Sequence, residues 1–513
     1  MTDAISETCP EKATESHDTA RSIKISDTTG FQSTNNPLFS VFTETEKKWI
    51  SYAASYAAMF SGLSTFIYYP AIVPLGRDLS VSLELINLTI TSYLVVAGVA
   101  PAFMGDMADQ TGRRPVYLLT FSLYVAANIG LALQSSFPAL LVLRMVQSAG
   151  SSGTFAAAYG VIADIATPSE RGSTCTAPSL GPVLGGILAE KLGWRWIFWL
   201  LVIMSGAHLI ILALFFPETS RKIVHNGSVQ ARGIHRTLFS LLARRGSRSD
   251  KSEGIKPSEG LMKRKIRIPN PLTSIPILFH KNSLAIILVG SIYYTVSRTL
   301  GASLSAQCIE IYDLNYLEAG LVYLPTGLAG MISSYSTGKL LDRDYKHVAA
   351  KLGRDTNLRV GEDNDDFPVE KTRLRSVWYL IIMSSGATLG YGWALYKRAK
   401  SKQISQQVIV LQHIAVPLVM QFISGLSITS IFTICGTLLT DLNSNKSSTA
   451  QAAYNLVRCV GAAGGVAALQ PIINGAGLGW GFTLYAFFCL TSVPVLWILQ
   501  TKGMKWRVSG KEG

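Results

Sequence analysis

Long apolar runs, separated by shorter polar segments, recur along the whole chain. Eleven of them carry few or no charges and have about the 20 residues that a helix needs to cross a bilayer. They lie at residues 49–73, 85–104, 116–134, 139–163, 196–216, 284–307, 320–341, 377–396, 408–439, 449–473 and 480–499. Residues 177–192 form a twelfth, weaker run. Because a single globular core does not repeat such runs over a whole chain, the pattern predicts an all-α membrane protein of twelve helices.

The twelfth run contains an unusual number of helix breakers. These are Pro178, Gly181, Pro182, Gly185 and Gly186. At 1.5 Å per residue the run reaches about 24 Å, which is less than the ~30 Å hydrocarbon core of a bilayer. Such residues are tolerated in a membrane where neighbouring helices satisfy the freed backbone groups. We therefore expect a fifth helix that is abnormally short.

The distribution of basic residues orients the predicted helices and explains the net charge of +14. Most of them lie in segments that share one side of the membrane, namely Arg113, Arg114, Arg171, residues 221–281 and residues 502–511. The positive-inside rule makes that side cytosolic. Lys397, Arg398, Lys400 and Lys402 are an exception on the other side. The pattern favours loops that set orientation and contact anionic membrane lipid, and we expect no nucleic-acid binding.

A long polar segment divides the predicted helices into two sets of six. We expect an N-terminal half at 49–217, a basic cytosolic loop at 218–282, a C-terminal half at 283–500, and cytosolic tails at 1–48, which is disordered, and 501–513. The second helix of each half ends in a similar motif, formed by Gly105 and Asp109 in one and by Gly338, Asp342 and Arg343 in the other. Two parallel halves of this kind predict an alternating-access carrier that binds a small-molecule substrate near the midplane.

The segment Gly105-Asp-Met-Ala-Asp-Gln-Thr-Gly-Arg-Arg-Pro115 resembles the loop motif that the major facilitator superfamily carries between helices 2 and 3. The gating motif that this resemblance implies consists of Gly105, Asp109, Gly112, Arg113 and Arg114. Glycines permit a tight turn, and Asp109 can pair with an arginine or face a helix N-terminus. Such a latch would hold one access state and break in the other. The alternative is a hairpin turn whose arginines only set the topology.

Arg144-Met-Val-Gln147-Ser-Ala-Gly150 in the fourth run resembles a second motif of the same superfamily. An arginine inside an apolar helix is costly unless it is paired or hydrated, so Arg144 is a candidate functional residue. The alternative is that Arg144 snorkels to the outer interface. The resemblance implies a role in proton coupling, although Ser148 stands where a glycine is usual.

Leu180-Gly-Pro-Val-Leu-Gly-Gly186 resembles the fifth-helix motif of drug:proton antiporters, in which small residues let helix 5 pack on helix 8. The motif residues are Gly181, Pro182, Gly185 and Gly186. With Gly320-Leu-Val-Tyr-Leu-Pro325 and Asn455-Leu-Val-Arg458, the chain is similar to the quinidine-resistance-like branch of the fungal twelve-span antiporters. The resemblance implies a monomeric exporter of drugs or a secondary metabolite, exchanging protons across the plasma membrane or, as the alternative, the vacuolar membrane.

The chain departs from that branch in helix 5. Family members carry roughly eight more residues before the Ser-Leu-Gly-Pro portion, which is about two helical turns. Three hypotheses follow: a truncated gene model, a splice variant, or a carrier with impaired transport. The short helix also motivates an alternative function, a non-transporting membrane sensor or degenerate paralogue.

Polar side chains inside the predicted helices are candidates for the substrate cavity. Asn455 and Arg458 are three residues apart and share a helix face, although Arg458 can instead pair with a carboxylate for packing alone. Tyr68 and Tyr294 can offer aromatic walls to an amphipathic or cationic substrate. Arg298 is a weaker candidate. Proton coupling normally uses a carboxylate that faces a cavity, but the apolar runs contain none at mid-span.

Motifs of enzyme chemistry are absent from the sequence. There is no Gly-x-x-x-x-Gly-Lys-Ser/Thr phosphate loop and no metal-ligand spacing. We therefore expect neither enzymatic activity nor a cofactor or bound metal.

Overall fold

The computed structural model describes residues 42–165, 181–224, 233–237, 271–352, 368–404, 414–443 and 447–509. All regular structure in these ranges is helical. The first half contains α1 (Glu44–Phe66), α2 (Ile72–Asp78), α3 (Leu83–Thr111), α4 (Arg113–Leu133), α5 (Phe137–Ile165), α6 (Gly181–Lys191) and α7 (Arg195–Phe215), followed by the single turn α8 (Arg221–Val224). Short 3₁₀ segments lie at Tyr69–Ala71, Gly233–His235 and Pro271–Phe279.

The second half repeats this order. It contains α9 (Lys281–Tyr312), α10 (Tyr316–Leu321), α11 (Leu324–Lys351), α12 (Val369–Arg373), α13 (Val377–Ile404), α14 (Ala415–Leu442), α15 (Ser447–Leu490) and α16 (Ser492–Ser509). Two of the helices begin at capping boxes, in which Thr43 and Glu46 start α1 and Asn315 and Glu318 start α10. Each box satisfies backbone N–H groups that have no partner within the helix. The box at Thr43 makes α1 begin five residues before the predicted boundary at residue 49.

Gly477 divides α15 into two membrane passes. Its φ of +79° lies in the left-handed region that favours glycine. The segments on either side run next to each other, since the Tyr485 hydroxyl donates to the Gly465 carbonyl at 2.7 Å. The chain therefore reverses at this glycine.

Seven helical stretches in the described ranges are long and apolar enough to cross a membrane. They are Glu44–Asp78, Leu83–Thr111, Arg113–Leu133, Arg195–Phe215, Lys281–Tyr312, Ala415–Leu442 and Thr449–Arg507, the last of which contains the reversal. Four further helices, α5, α6, α11 and α13, lie on the remaining predicted runs. Large apolar side chains such as Ile203, Ile210 and Phe487 are exposed on the outer surface, as expected of residues that face lipid.

The two halves meet through equivalent helices. Helix α3, which is the second predicted membrane crossing of the first half, packs against the segment of α15 before Gly477. That segment is the fifth predicted crossing of the second half. Reciprocally α6, the fifth helix of the first half, packs against α10, which opens the second crossing of the second half. These reciprocal contacts between the second and fifth crossings are those expected of two halves related by pseudo-twofold symmetry.

The described part of helix 5 is 11 residues long. By helix rise it spans about 16 Å. Residues 177–180, which we assigned to the same run, lie outside the described ranges. The predicted length of this span and the predicted domain boundaries therefore stay predictions.

Candidate functional site

The loop motif between α3 and α4 turns at Gly112. Its φ is +104°, and a Cβ atom at this position would lie 2.5 Å from Oε2 of Glu218. Glu218 follows α7 and is 3% exposed. Its carboxylate accepts hydrogen bonds from the backbone N–H groups of Arg113 at 2.8 Å and Arg114 at 3.3 Å. A buried anion therefore caps the N-terminus of α4, where the helix dipole favours negative charge.

Glu218 also organises the segment that follows it. The same carboxylate accepts from the backbone N–H groups of Thr219 and Ser220 at 3.1 and 3.0 Å, and it lies 2.9 Å from Nδ1 of His235. One side chain thus joins the start of α4 to the chain beyond α7. No motif in the sequence marks this residue.

Arg113 forms two ion pairs within the first half. Its Nη1 atom lies 2.6 Å from Asp109 on α3, and its Nε atom lies 3.0 Å from Asp164 at the end of α5. The Asp109 side chain is 49% exposed, whereas those of Arg113 and Asp164 are each 12% exposed. Asp164 is thus the better shielded partner of Arg113. The guanidinium lies over Gly160, where a Cβ atom would be 2.6 Å from its Cζ.

Arg114 caps a second helix. It is 2% exposed, and its guanidinium donates to the carbonyl groups of Leu212 at 2.9 Å, Ala213 at 2.6 Å and Phe216 at the C-terminal end of α7. A cation at this end neutralises carbonyl groups that have no partner within the helix. The two arginines of the motif therefore bind specific acceptors, which a topology signal alone does not require.

The equivalent motif of the second half lies near the end of α11. Gly338 has no atom within 4 Å of the position that a Cβ would take, and Arg343 is exposed. The side chain of Asp342 lies outside the described part. An ion pair of 3.0 Å between Arg373 and Asp441 joins the segment before α13 to the end of α14. Because Arg113 and Asp164 connect the corresponding helices of the first half, this pair is their counterpart.

Arg144 on α5 is buried in a polar network. It is 1% exposed, so it does not reach the membrane interface as the snorkelling alternative requires. Its Nη1 atom donates to Gln147 at 2.5 Å, and the Gln147 amide donates to Asn128 on α4 at 2.6 Å. Its Cζ atom lies 4.0 and 4.5 Å from the ring centroids of Tyr68 and Tyr93. Both rings thus stabilise the cation by cation–π interaction.

Two small residues that follow Arg144 along α5 lie where this helix contacts its neighbours. A Cβ atom at Gly150 would lie 2.8 Å from the Thr120 carbonyl of α4, so glycine allows close approach there. The hydroxyl of Ser148, which replaces the usual glycine, donates to the Tyr93 carbonyl at 2.6 Å. The substitution therefore adds a bond between α5 and α3.

The small residues of α6 form its contacts with the rest of the protein. A Cβ atom at Gly186 would lie 2.6 Å from the Tyr316 carbonyl and 3.0 Å from Cα of Gly320. Gly185 lies against the Ile67 carbonyl, and Gly181 packs near Phe66. The structure therefore places these glycines where α6 meets α1 and the other half, and Pro182 lies on the wall of a central cavity.

That cavity lies between the two halves and has a volume of about 410 Å³. This size is in the range of small-molecule sites. Tyr294, Asn455, Arg458 and Arg298 all line it. Tyr68 lies behind the wall, buried beneath Arg144, so it is not in the position we expected. The described wall residues include no aspartate or glutamate.

The two arginines of the cavity share an aromatic partner. The Cζ atoms of Arg298 and Arg458 lie 4.6 and 4.8 Å from the ring centroid of Tyr294. Arg458 donates from Nε and Nη2 to Oδ1 of Asn455 at 3.1 and 2.6 Å. The Asn455 amide donates in turn to the Ala97 carbonyl of α3 at 2.9 Å, which is a bond between the halves.

The cavity is closed toward the face of the bundle where α3 begins and α6 ends. There Asn474 donates to Glu84, and the Tyr316 backbone N–H donates to Glu190, at 2.9 and 3.0 Å. Tyr69 stacks on Tyr323 across the halves, with centroids 5.9 Å apart. Toward the other face, which carries the loop motif, Pro101 and Ser334 still line the cavity. Among the described residues, the cavity therefore extends from these contacts toward the loop-motif face.

Comparison with known proteins decides the family. The model of the Major Facilitator Superfamily matches residues 54–466. The chain belongs to this superfamily. It is 36% identical over 491 residues to the MFS-type transporter phiD of a fungus designated Fungal sp., covering 94% of this chain and 72% of that protein. It is 35% identical over 490 residues to Citrate exporter 1 of Aspergillus niger, covering 93% and 90%.

The crystal structure of the human organic anion transporter MFSD10 (TETRAN) has the same fold. It matches with a TM-score of 0.52 at 15% identity, covering 88% of this chain and 99% of that one. Membership of the major facilitator superfamily confirms the predicted all-α membrane fold and shows a transporter rather than an enzyme. The quinidine-resistance-like branch stays a prediction.

Three features of this major facilitator chain were not identified from its sequence. They are the cap at Glu218, the pair Arg373–Asp441 and the shared position of Arg298 and Arg458. A topological signal for the pair was present, since Arg373 precedes the ninth run and Asp441 follows the tenth. No comparable signal marks Glu218.

Proposed function

We propose that this transporter exports a small organic compound from the cytosol by alternating access. The observation that carries the proposal is the central cavity, which is bounded by contacts between the halves on one side and whose described lining extends toward the loop-motif face on the other. Basic loops assign the loop-motif face to the cytosol. A substrate can then enter from the cytosol, and rearrangement of the halves releases it outside.

The finer assignment follows from the resemblance to the fungal drug:proton antiporters. We propose the plasma membrane, with the vacuolar membrane as the alternative, a monomeric carrier, and protons as the exchanged ion. Export is also the activity named for the relative Citrate exporter 1. Arg144 is the proposed coupling residue, because its charge is buried at the packed interface of α3, α4 and α5.

The close packing of α6 favours a working carrier over the alternative of a degenerate paralogue. Gly186 and Gly320 bring the two halves into direct backbone contact. A helix that had lost its role would be under no requirement to keep small residues at both sides of this contact. The alternative is motivated by the short helix 5 that the sequence predicts.

Everted plasma-membrane vesicles from a yeast that expresses the chain test the proposal. The lumen of the vesicles is made more acidic than the medium. Candidate drugs and fungal metabolites are added one at a time, and the release of protons from the lumen is followed with a pH-sensitive dye. We expect release and accumulation of at least one compound, both lost in Arg144→Ala at equal expression. Accumulation without proton release would refute the exchange mechanism. Failure of every compound in vesicles with folded protein would support the non-transporting alternative.

A further inference from the structure

The strongest unassigned feature of the molecule is the charge of its cavity. Arg298 and Arg458 both line it, and the described wall contains no carboxylate. Neither arginine forms an ion pair with a described residue. A guanidinium inside a membrane protein is costly unless a counter-charge or water accompanies it. Two of them in one small cavity raise that cost, because like charges repel strongly where the dielectric constant is low.

The spacing of the two arginines suits a single ligand. Each Cζ atom lies within 5 Å of the Tyr294 ring centroid, at 4.6 and 4.8 Å, so the two are less than about 10 Å apart. Arg458 is held in place by Asn455, while Nε of Arg298 is buried without a hydrogen-bond partner. A planar guanidinium is the side chain best suited to a carboxylate, which it can bind through two parallel hydrogen bonds.

Three aromatic rings of the cavity already lie next to arginine side chains. Tyr294 lies beside both arginines, Phe66 lies 4.7 Å from Cζ of Arg298, and Phe432 lies 5.0 Å from Cζ of Arg458. A cationic substrate would have to displace these side chains and would meet two like charges. The expectation of aromatic walls for a cationic substrate therefore does not fit this geometry.

The rest of the wall is mixed. Leu94, Leu300 and Ile428 contribute apolar surface, and Ser61, Thr65 and Ser297 contribute hydroxyl groups. Such a lining accommodates the carbon skeleton of an organic molecule and hydrogen-bonds its hydroxyl or carbonyl groups. The charged side chains of the described wall are those of the two arginines.

We propose that the exported compound is an organic anion whose carboxylate is bound between Arg298 and Arg458. This inference rests on the proposed export function and narrows its substrate class. It assigns Arg298 and Arg458 as binding residues and Asn455 as the positioning residue for Arg458.

Binding to the purified protein tests the inference without reference to transport. The probes are 4-phenylbutyrate, its amide and 4-phenylbutylammonium, together with citrate and its triamide, each titrated by calorimetry. We expect at least one carboxylate to bind about 10-fold or more tightly than its own amide, since hydrogen bonds to charged groups are the stronger kind. Absence of any carboxylate preference would overturn the proposal, as would sulfate binding as tightly as the carboxylates.

Substitution locates the site. Arg298→Gln and Arg458→Gln should each weaken carboxylate binding about 10-fold to 100-fold and leave amide binding unchanged, with partial recovery in the Lys variants. Lys502→Gln, which removes an exposed charge at the end of the last helix, is the matched control and should bind normally. Equal loss in all three Gln variants would overturn the assignment.

Transport of the same probes separates the two proposals. If vesicles accumulate the amide or the ammonium compound but not the carboxylates, export stands and the anion inference fails. If arginine-dependent carboxylate binding is found without accumulation of any probe, the anion site stands and the export function fails.

Discussion

The two ion pairs of Arg113 differ in burial, and we predict that their loss has unequal effects. The side chains of Arg113 and Asp164 are each 12% exposed, whereas the side chain of Asp109 is 49% exposed. Removing one partner of a buried pair leaves an uncompensated charge and costs 3–5 kcal/mol in fully buried cases. Because Asp109 would still face Arg113, we expect Asp164→Asn to cost about 2 kcal/mol. Asp109→Asn should cost only about 0.5 kcal/mol.

Thermal unfolding of the purified protein in detergent measures this difference. For a chain of this size, about 2 kcal/mol corresponds to a decrease in Tm of about 2–4 °C, and the Asp109 variant should melt within about 1 °C of the wild type. The backbone carbonyl of Asp164, which accepts from the Arg221 side chain at 3.1 and 3.0 Å, is unaffected by the substitution. The expected difference therefore comes from the carboxylate alone.

A double-mutant cycle with Arg113→Gln decides whether the effect belongs to the pair. In the Arg113→Gln background, Asp164→Asn should cost clearly less than in the wild type, because the carboxylate then keeps only the weaker attraction of Arg221. If Asp164→Asn destabilises both backgrounds equally, or if the two Asn variants melt alike, the assignment of Asp164 as the principal partner is wrong.

Three further predictions concern packing and caps. Glu218→Gln should lower the free energy of unfolding by about 2–3 kcal/mol, since an amide cannot accept all the N–H groups that converge on the carboxylate; an unchanged Tm would refute this. Gly186→Ala should abolish transport, because its Cβ meets the Tyr316 carbonyl at 2.6 Å, whereas Gly206→Ala, which faces open space, should transport normally. Tyr69→Ala should loosen the stack with Tyr323 and increase labelling of the cavity residue Cys459 from outside, and unchanged labelling would show that other contacts form the seal.

The architecture was predictable because a bilayer restricts the possible folds so strongly. Apolar runs of membrane length identify helices without any knowledge of their partners. The repeated Gly-x-x-x-Asp spacing at Gly105 and Gly338 indicated two halves for the same reason: it depends only on positions along the chain.

The partners of buried polar groups were less predictable. Glu218 lies more than 100 residues from Arg113 in sequence, and no periodicity connects an acid after the sixth helix to the start of the third. Tyr68 and Tyr294 look equivalent as tyrosines in apolar runs, yet one lies beneath Arg144 and the other on the cavity wall. Which face of a helix meets the cavity depends on packing between helices, and local sequence does not encode it.

Two cavity arginines, with no carboxylate among the described residues of the wall, also change the energetics of transport. Moving one negative charge out of a cell whose interior is negative releases about 2.3 kcal/mol per 100 mV, or roughly 50-fold in concentration ratio, and twice that energy for a divalent anion. A carrier of cations must work against this voltage and needs an opposing ion. For an anionic cargo the membrane potential is itself a driving force, so a cavity whose described wall carries no aspartate or glutamate can still support concentrative export.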